Sequence, residues 1–414
     1  MRYPKLKSIP TSRKMIDTFL GYDHNIRVGE GAFYDMRNLT SDHFPVLSPR
    51  KKRGFYVKPA SPQGMISKEE LCYVDGADFV MGNTRIAMGL STAAEDNPKR
   101  LISMGAYVII MPDKKYINTK NTEDKGDIES SFVSDGLVTF QLSTITGESY
   151  SGVSIGPAAP GEPENLDYWI DTSVAPHVLK QYSAISGMWI TIATTYIKIT
   201  ATGIGKGFQQ YDGVTISGVA DEKLKDLNAS MVIWDKGDDY IVVVGILDQV
   251  TTQTAPITVE RRMPLMDHMT ESGNRLWGCR YGTSLNGETV NEIYASKLGD
   301  FRNWSCFMGL STDSYAASCG TDGPFTGAVT HQGYPIFWKE GYFHLAYGNF
   351  PSNFQIQETA CRGVQEGCHA SLAVVNETLF YKSRTGICAF DGSLPQEVSY
   401  ALGREAYSTI DVAF

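Results

Sequence analysis

The sequence predicts a mainly β fold, a β-propeller with a small inserted β or α+β domain, and three observations carry this prediction. A hairpin pattern of strand, charged or glycine turn and second strand recurs at residues 275–297, 334–348 and 378–392. Copies that recur at roughly 40–60 residues are typical of propeller blades. An earlier copy occupies residues 101–118, and 22 tyrosines, 18 phenylalanines and 40 glycines favour pleated strands and tight turns.

The individual elements of the first part follow from local chemistry. Residues 15–57 are predicted as extended segments joined by turns, and residues 64–77 as a hairpin. The apolar run 107–111 is predicted as a buried strand that ends at the Pro112-Asp113 turn. The patterned copies number about five to six, and we predict a propeller of about six to seven blades that is incomplete at the C-terminus or closed by it.

The strand rhythm is interrupted between residues 120 and 262. Residues 121–127 are predicted as a polar linker and 156–163 as a flexible Gly/Pro stretch. Residues 189–199 are rich in β-branched side chains, and residues 221–228 are predicted as a short helix that Asp221 caps and Asn228 ends. We therefore predict three parts: N-terminal blades in 1–119, an inserted domain in 120–262 and C-terminal blades in 263–414.

Several features of the chain bound its class. No stretch reaches the roughly 20 apolar residues of a membrane span, and we expect neither a signal peptide nor a membrane partner. The apolar residues 409–414 are predicted either to pair with an N-terminal strand or to lead into a longer protein, and we favour the second. The seven cysteines are irregularly spaced, and five of them (Cys72, Cys279, Cys306, Cys319 and Cys388) are predicted as free thiols in or beside strands, as in a reducing cytoplasm.

Charge is distributed unevenly along the chain. Residues 1–58 carry 12 Lys/Arg against 5 Asp/Glu, whereas the whole chain has a net charge of −9. A basic segment on an acidic body could contact an acidic protein surface or nucleic-acid phosphates. We favour an ordinary solvated edge, and nucleic acid is not an expected partner.

Particular motifs point to a family. Asp300-Phe301-Arg302-Asn303-Trp304 matches a DxxNW turn between blades, the strand residues 274–277 and 293–296 precede it, and residues 381–392 complete the series. Residues 29–53 are similar to the opening segment of the same group. Over residues 15–118 and 263–400 the sequence thus resembles the β-propeller structural proteins of tailed-phage and prophage tails.

The resemblance implies a structural role without enzyme activity. It implies a virion component of the tail, near the head–tail junction or the tail tip, made in the cytoplasm of a bacterial host. Its implied partners are other tail or connector proteins and further copies of itself, and it implies no enzyme activity. Residues 120–262 lie outside the resemblance.

Motifs for phosphate or metal binding are incomplete. The loop 202–207 lacks the four-residue gap before Gly-Lys-Ser/Thr of a phosphate-binding loop, and Phe208 stands where a hydroxyl would bind Mg²⁺. A glycine loop between strands is the better interpretation. Cys361, Cys368 and His369 offer soft ligands at a spacing that is unusual for zinc. The sequence therefore nominates no catalytic, cofactor-binding or metal-ligating residue, and no cofactor.

Two other functions stay open at this point. A glycosidase would need two carboxylates about 5–10 Å apart. We interpret the available loop acids as turn-capping residues: Asp313, Asp322, Glu340, Glu358, Glu366 and Asp391. A host-surface carbohydrate-binding adhesin would need exposed aromatic residues, and the insert is where we expect them. We instead predict blade core for Trp277, Trp304, Trp338, Tyr342 and Tyr347, and insert core for Trp169, Trp189 and Trp234.

His331 and His344 are predicted as histidines whose ring nitrogens are hydrogen-bonded, in the core or at the rim of the blades.

Overall fold

The computed structural model describes residues 8, 11–92 and 99–403. The predicted mainly β fold is confirmed, because the chain consists of short strands in small, mostly antiparallel sheets. The described residues form two compact units: one combines those up to Lys58 with those from Ala360 onward, and the other is Pro59–Thr359. No helix among the described residues is long and apolar enough to cross a membrane. The predicted terminal strand 409–414 lies outside the described residues.

The first unit begins with two small strand pairs. Strands β1 and β2 pair in parallel and β3 and β4 pair antiparallel, which confirms extended segments joined by turns. The bounds are β1 Gly21–Tyr22, β2 Ala32–Phe33, β3 Leu39–Thr40 and β4 Ser48–Pro49. The backbone N–H of His24 donates to the carbonyl of Ala401 at 2.8 Å. This hydrogen bond joins the N-terminal and the C-terminal segment of the unit.

The second unit opens with two four-stranded meanders, in which each strand pairs with the next in sequence. The first meander sheet comprises β5 Pro62–Ser67, β6 Leu71–Asp75, β7 Asp78–Met81 and β8 Thr84–Ala87. The second comprises β9 Arg100–Met104, β10 Tyr107–Met111, β11 Lys115–Asn118 and β12 Asn121–Asp127. The predicted hairpin in 64–77 and the buried strand 107–111 are confirmed.

The predicted polar linker at 121–127 is wrong, because these residues form β12 and pair with β11. Their side chains alternate between exposed and half-buried positions, as on a sheet with one covered face. The polar composition of residues 121–127 led to the wrong prediction, because a strand at the edge of a sheet needs few apolar residues. The second meander thus continues to Asp127, and we use "the insert" for residues 128–262 below.

The insert is built from three sheets and one short 3-10 helix. One sheet has the order β13-β25-β20-β21 and another β22-β23-β19-β14-β24, and together they enclose a large apolar cluster. The third, which we call the arm sheet, has the order β15-β16-β17-β18. The strands are β13 Ser130–Val133, β14 Val138–Ser143, β15 Ser154–Gly156, β16 Tyr168–Asp171, β17 Val178–Ser183, β18 Met188–Thr191, β19 Tyr196–Thr200, β20 Gly213–Ser217, β21 Ser230–Val232, β22 Asp235–Lys236, β23 Tyr240–Val244, β24 Thr251–Gln253 and β25 Thr258–Arg261.

Two local predictions in the insert have different outcomes. The predicted short helix is confirmed as the 3-10 helix Glu222–Leu227, and the Asp221 side chain caps it by accepting from the Lys223 N–H at 2.9 Å. The β-branched run 189–199 does not form one strand. It is divided between β18 in the arm sheet and β19 in the adjoining five-stranded sheet.

Two further meanders follow the insert. The third meander sheet comprises β26 His268–Ser272, β27 Arg275–Thr283, β28 Thr289–Ala295 and β29 Tyr315–Ser318. The fourth comprises β30 Gly327–His331, β31 Tyr334–Lys339, β32 Tyr342–Tyr347 and β33 Gln355–Ala360, with a 3-10 turn at Pro351–Asn353. The predicted hairpins in 275–297 and 334–348 are confirmed.

The first unit also holds a meander of its own. Its strands are β34 Ala373–Val375, β35 Thr378–Lys382, β36 Ile387–Phe390 and β37 Gln396–Glu397, with 3-10 turns at His369–Ser371 and Tyr400–Leu402. The predicted hairpin in 378–392 is confirmed by the pairing of β35 with β36.

The meander sheets of the second unit pack on one another in sequence order. Val108 and Ile110 on β10 join an apolar cluster with the first sheet, whereas the intervening Ile109 joins a cluster with the third. On β27, Leu276 faces the second sheet and Trp277 the fourth. Because successive strand residues point to opposite faces, a strand covered on both sides is a continuous apolar run, as in 107–111.

The first strands of these sheets are also neighbours in succession. Strand β5 contacts β9, β9 contacts β26, and β26 contacts β30. The connection from the second to the third meander sheet contains the whole insert, yet β9 and β26 lie side by side. The insert therefore leaves and rejoins a continuous series of sheets.

Candidate functional site

A junction between the insert and the third meander sheet is formed by the DxxNW turn. The Asn303 side chain is buried; its Nδ2 donates to the Tyr211 carbonyl at 2.7 Å, and its Oδ1 accepts from the Gly213 N–H at 3.1 Å. Arg302 donates to the Gln209 side chain at 2.9 Å. The carboxamide thereby satisfies two backbone groups of the insert, and the motif acts as an anchor as well as a turn.

The backbones at this junction approach so closely that only glycine fits at position 213. A Cβ on Gly213 would lie 2.2 Å from the carbonyl oxygen of Ser305 and 2.7 Å from the backbone nitrogen of Cys306. The neighbouring Trp304 is buried in the cluster that joins the second and third sheets. The contact is therefore set by backbone atoms that cannot move aside as a flexible side chain could.

A buried ion pair closes the base of the insert. Arg261, at the end of β25, donates to Asp212 Oδ2 at 2.5 Å, and the two side chains are 5% and 2% exposed. The same guanidinium donates to the carbonyl of Ile128 at 3.1 and 3.2 Å and to that of Gly207 at 3.3 Å. Because Ile128 and Arg261 lie at opposite sequence ends of the insert, one side chain holds both together.

The arm sheet presents two different faces. Cross-strand register places Trp169, Lys180, Tyr182 and Trp189 on one face, where Trp169 and Trp189 make an edge contact at 5.5 Å. The Lys180 ammonium lies 4.9 Å from the Trp169 ring centroid. The other face carries apolar side chains that are exposed at the sheet margins, namely Ile155, Met188 and Ile190. Such a combination suits contact with another surface.

Asp171 of the arm sheet accepts hydrogen bonds from Lys180 Nζ at 2.8 Å and from the Ser173 hydroxyl and N–H. These bonds, led by that from Lys180, lower the pKa of Asp171 from 3.8 to about 2. A carboxyl whose pKa is lower in the folded state stabilises the fold above its unfolded pKa. That stabilisation is lost as the pH falls from 3.8 through about 2.

We therefore expect Asp171→Asn to lower the urea midpoint at neutral pH, and the difference from the unchanged protein to shrink as the pH falls below 3.8. Asp135→Asn, at an exposed position of the same insert, is the matched control and should leave the midpoint unchanged. A difference that stays constant down to pH about 2 would contradict the assignment.

A cluster of a thiol, an imidazole and a carboxylate lies where the third and fourth meander sheets meet. Cys319 directly follows β29, His344 is on β32 and Glu358 is on β33, and their ligand atoms all lie within 4.8 Å of one another. His344 is fully buried, whereas the Glu358 side chain is 33% exposed. Among the described residues this is the one group of three potential metal ligands.

Hydrogen bonds fix the orientation of two of these groups. His344 Nδ1 lies 3.3 Å from the carbonyl of Phe337, which can only accept, so Nδ1 carries the proton and Nε2 faces the Thr321 hydroxyl at 2.7 Å. Glu358 Oε1 accepts from the Gly320 N–H at 2.8 Å. Burial lowers the pKa of His344 and raises that of the Cys319 thiol to about 12, so the imidazole and the thiol are both neutral at pH 7.

A buried ammonium borders this cluster. Lys339 is 2% exposed and donates to Asn291 Oδ1 at 2.9 Å and to the Thr321 carbonyl at 2.7 Å. Its Nζ also lies 4.5 Å from the Phe325 ring centroid and 5.2 Å from that of Tyr281. The positive charge is thus held by dipoles and ring faces.

Three of the six loop carboxylates named from the sequence accept hydrogen bonds within their own turns. Asp313 is buried and accepts from the backbone N–H groups of Met308, Gly309 and Leu310. Asp322 accepts from the Gly323 N–H at 2.8 Å and also from the Tyr281 hydroxyl on β27, and Asp391 accepts from Ser393. These contacts match the turn-capping interpretation for Asp313, Asp322 and Asp391. For Glu358 the interpretation is wrong, because this residue lies within β33 and accepts from the distant Gly320 N–H.

The loop 202–207 lies between β19 and β20, as the glycine-loop interpretation requires. The Gly203 N–H donates to the Asp239 carboxylate at 2.7 Å, and the Gly205 N–H donates to the Asp238 carbonyl at 3.0 Å. A phosphate would have to displace an acidic side chain there. The loop is therefore a packing element.

The predicted aromatic cores are only partly confirmed. Trp277, Trp304 and Trp338 are buried, but Tyr342 and Tyr347 are both 38% exposed and the core prediction for them is wrong. These two tyrosines are the first and last residues of β32, and it is these two ends of the strand that are exposed. In the insert Trp169 is buried, whereas Trp189 and Trp234 are half-buried and all three lie outside the main apolar cluster.

The seven cysteines all lie in the described ranges and are free thiols, as predicted. The predicted place of Cys306 in or beside a strand is wrong, because it lies in the long connection between β28 and β29. Cys361 and Cys368 do not join a group of three metal ligands within the described ranges. No sequence motif indicated the cluster around Cys319, because its members are 25 and 14 positions apart and share no spacing pattern. Comparison of the chain with protein-family models and with curated proteins finds no match.

Proposed function

We propose that this protein is a non-enzymatic structural component of a phage or prophage tail, a β-propeller scaffold that carries the insert as an interaction arm. The observation that carries the proposal is the DxxNW turn. It underlies the sequence resemblance, and its Asn303 anchors the insert through two hydrogen bonds. A scaffold needs such a rigid attachment if the arm is to present a fixed surface.

The packing of the meander sheets supports the propeller part of the proposal. Four-stranded meanders that pack face to face, with their first strands adjacent in succession, are the construction of propeller blades. The proposal keeps the three predicted parts 1–119, 120–262 and 263–414 but moves the first boundary to the end of β12, so that the insert comprises residues 128–262. The partners we expect are other tail or connector proteins and further copies of the chain.

The test is composition and assembly of the virus particle. Particles purified from the phage or lysogen that encodes the chain should contain several copies of it by quantitative mass spectrometry. Removing the gene should stop tail completion, and a version without the insert should fail to restore it. Absence of the protein from purified particles would sink the proposal, as would its turnover of a bacterial polysaccharide.

One observation favours a second function, binding of a host-surface carbohydrate. Half-buried Trp189, on the edge strand β18 of the arm sheet, packs against Tyr182 at 5.3 Å and Trp169 at 5.5 Å, and the Lys180 ammonium lies over the Trp169 ring. Aromatic side chains beside polar groups suit sugar binding. A glycan array probed with the whole protein and with Trp189→Ala separates the two, because signal that depends on Trp189 supports the adhesin.

A further inference from the structure

We propose that Cys319, His344 and Glu358 bind a Zn²⁺ ion that links the third meander sheet to the fourth. Thiolate sulfur, imidazole nitrogen and carboxylate oxygen are the ligand types that zinc takes in proteins. A thiolate ligand selects against Mg²⁺ and Ca²⁺, which prefer oxygen alone. The ligand atoms all lie within 4.8 Å of one another, a spacing from which one ion can be reached with small side-chain movements.

Hydrogen bonds with neighbouring groups already orient two of the three proposed zinc ligands. The Phe337 carbonyl holds the Nδ1 proton of His344, and this leaves the Nε2 lone pair directed toward Thr321 and Glu358. Histidine ligands usually donate their other ring N–H to a carbonyl or carboxylate, which fixes the tautomer. The Gly320 N–H holds one oxygen of Glu358 in the same way, at 2.8 Å.

The Thr321 hydroxyl now uses the lone pair that a metal would need, since its oxygen is 2.7 Å from Nε2. Binding would exchange this single neutral hydrogen bond for a metal–nitrogen bond. Three protein ligands leave one tetrahedral position for the Thr321 hydroxyl or a water molecule.

The charges balance when the ion binds. Zn²⁺ displaces the thiol proton of Cys319 to solvent, and the resulting thiolate together with the Glu358 carboxylate neutralises the ion. The neutral centre is compatible with the buried Lys339 ammonium, which keeps its bonds to Asn291 and Thr321. A centre with a net positive charge would be repelled by that ammonium.

The predicted effect of the ion is structural and independent of the proposed tail function. Cys319 follows the last strand of the third sheet, and His344 and Glu358 belong to strands of the fourth. An ion that binds only the folded arrangement raises the melting temperature, and the rise grows with the logarithm of the ion concentration divided by its dissociation constant. It would hold two sheets that otherwise pack through apolar side chains around Trp277 and Phe337.

The experiment titrates the chelator-treated whole protein with Co²⁺, a spectroscopic substitute for Zn²⁺, and then adds Zn²⁺. We expect one Co²⁺ per chain with a thiolate-to-cobalt absorption band, which Zn²⁺ abolishes. Cys319→Ser should lose the band, and Glu358→Gln should weaken binding by at least about tenfold. Zinc should raise the melting temperature of the unchanged protein and not that of Cys319→Ser.

Two matched variants control for other thiols and acids. Cys368→Ser and Glu366→Gln change the same residue types outside the cluster and should bind Co²⁺ as the unchanged protein does. Glu358→Gln is the variant that keeps an acceptor for the Gly320 N–H, so it tests the ligand even if Cys319→Ser fails to fold. Absence of the band in the unchanged protein, or equal binding by Glu358→Gln, would overturn the proposal.

Discussion

Replacing Asp212 with alanine is expected to lower the free energy of unfolding by about 3–5 kcal/mol. The substitution leaves the Arg261 guanidinium, which is 5% exposed, without the carboxylate it contacts. A charge that is buried and unpaired costs far more than a lost surface contact. The effect should appear in urea unfolding followed by tryptophan fluorescence, and limited proteolysis should cut the insert first.

Arg262 supplies the matched control, because it is the adjacent residue but its pair with Glu260 is 51% exposed on the arginine side. Arg262→Ala should change stability by no more than about 1 kcal/mol. The double variant Asp212→Leu with Arg261→Met removes both charges and should be more stable than Asp212→Ala alone. If the double variant is the less stable of the two, the bonds from Arg261 to the carbonyls of Ile128 and Gly207 outweigh the cost of the unpaired charge.

Substitution of Gly213 by alanine is expected to lower the free energy of unfolding by about 1–3 kcal/mol or more, since overpacking usually costs an amount in that range. The added methyl group would meet the Ser305 carbonyl carbon at 2.3 Å, and backbone atoms cannot rotate away. The insert must therefore shift, and the hydrogen bond from the Gly213 N–H to Asn303 is lost with it. Hydrogen–deuterium exchange should rise at residues 211–213 and 300–304.

Gly136→Ala is the control for this change within the same insert. A Cβ at Gly136 meets nothing within 4 Å, so the alanine variant should be neutral or slightly stabilising. Asn303→Ala should reproduce the raised exchange of Gly213→Ala without any steric clash, because it removes the same hydrogen bonds. Unchanged exchange in both junction variants would show that the insert is held elsewhere.

Both variants also bear on the proposed function. A scaffold whose insert is loosened at the junction should still fold its meander sheets, since the clusters between the first and second sheets and between the third and fourth contain no junction residue. It should nevertheless enter particles less efficiently if the arm contacts a neighbour. If a variant with a loosened insert enters particles normally, the contacts that drive assembly lie on the meander sheets and not on the insert.

Local chemistry by itself determined much of this fold. Alternating and continuous apolar runs, broken by glycine and proline, predicted the hairpins around Tyr107, Tyr334 and Thr378, because the side-chain period of a strand is written in adjacent residues. The same local signals predicted the cap of the short helix at Asp221 and the burial of Trp277, Trp304 and Trp338. Local polarity misassigned 121–127, since an outer strand exposes most of its side chains.

Tertiary structure alone decided which distant residues meet. Arg261 reaches Ile128 and Asn303 reaches Gly213 only because β25 and the third meander sheet lie where the whole fold places them. Cys319, His344 and Glu358 converge from a loop and two strands, and no spacing rule relates them. Sequence records the preferences of neighbouring residues, whereas a junction or a metal site depends on packing between segments far apart in the chain.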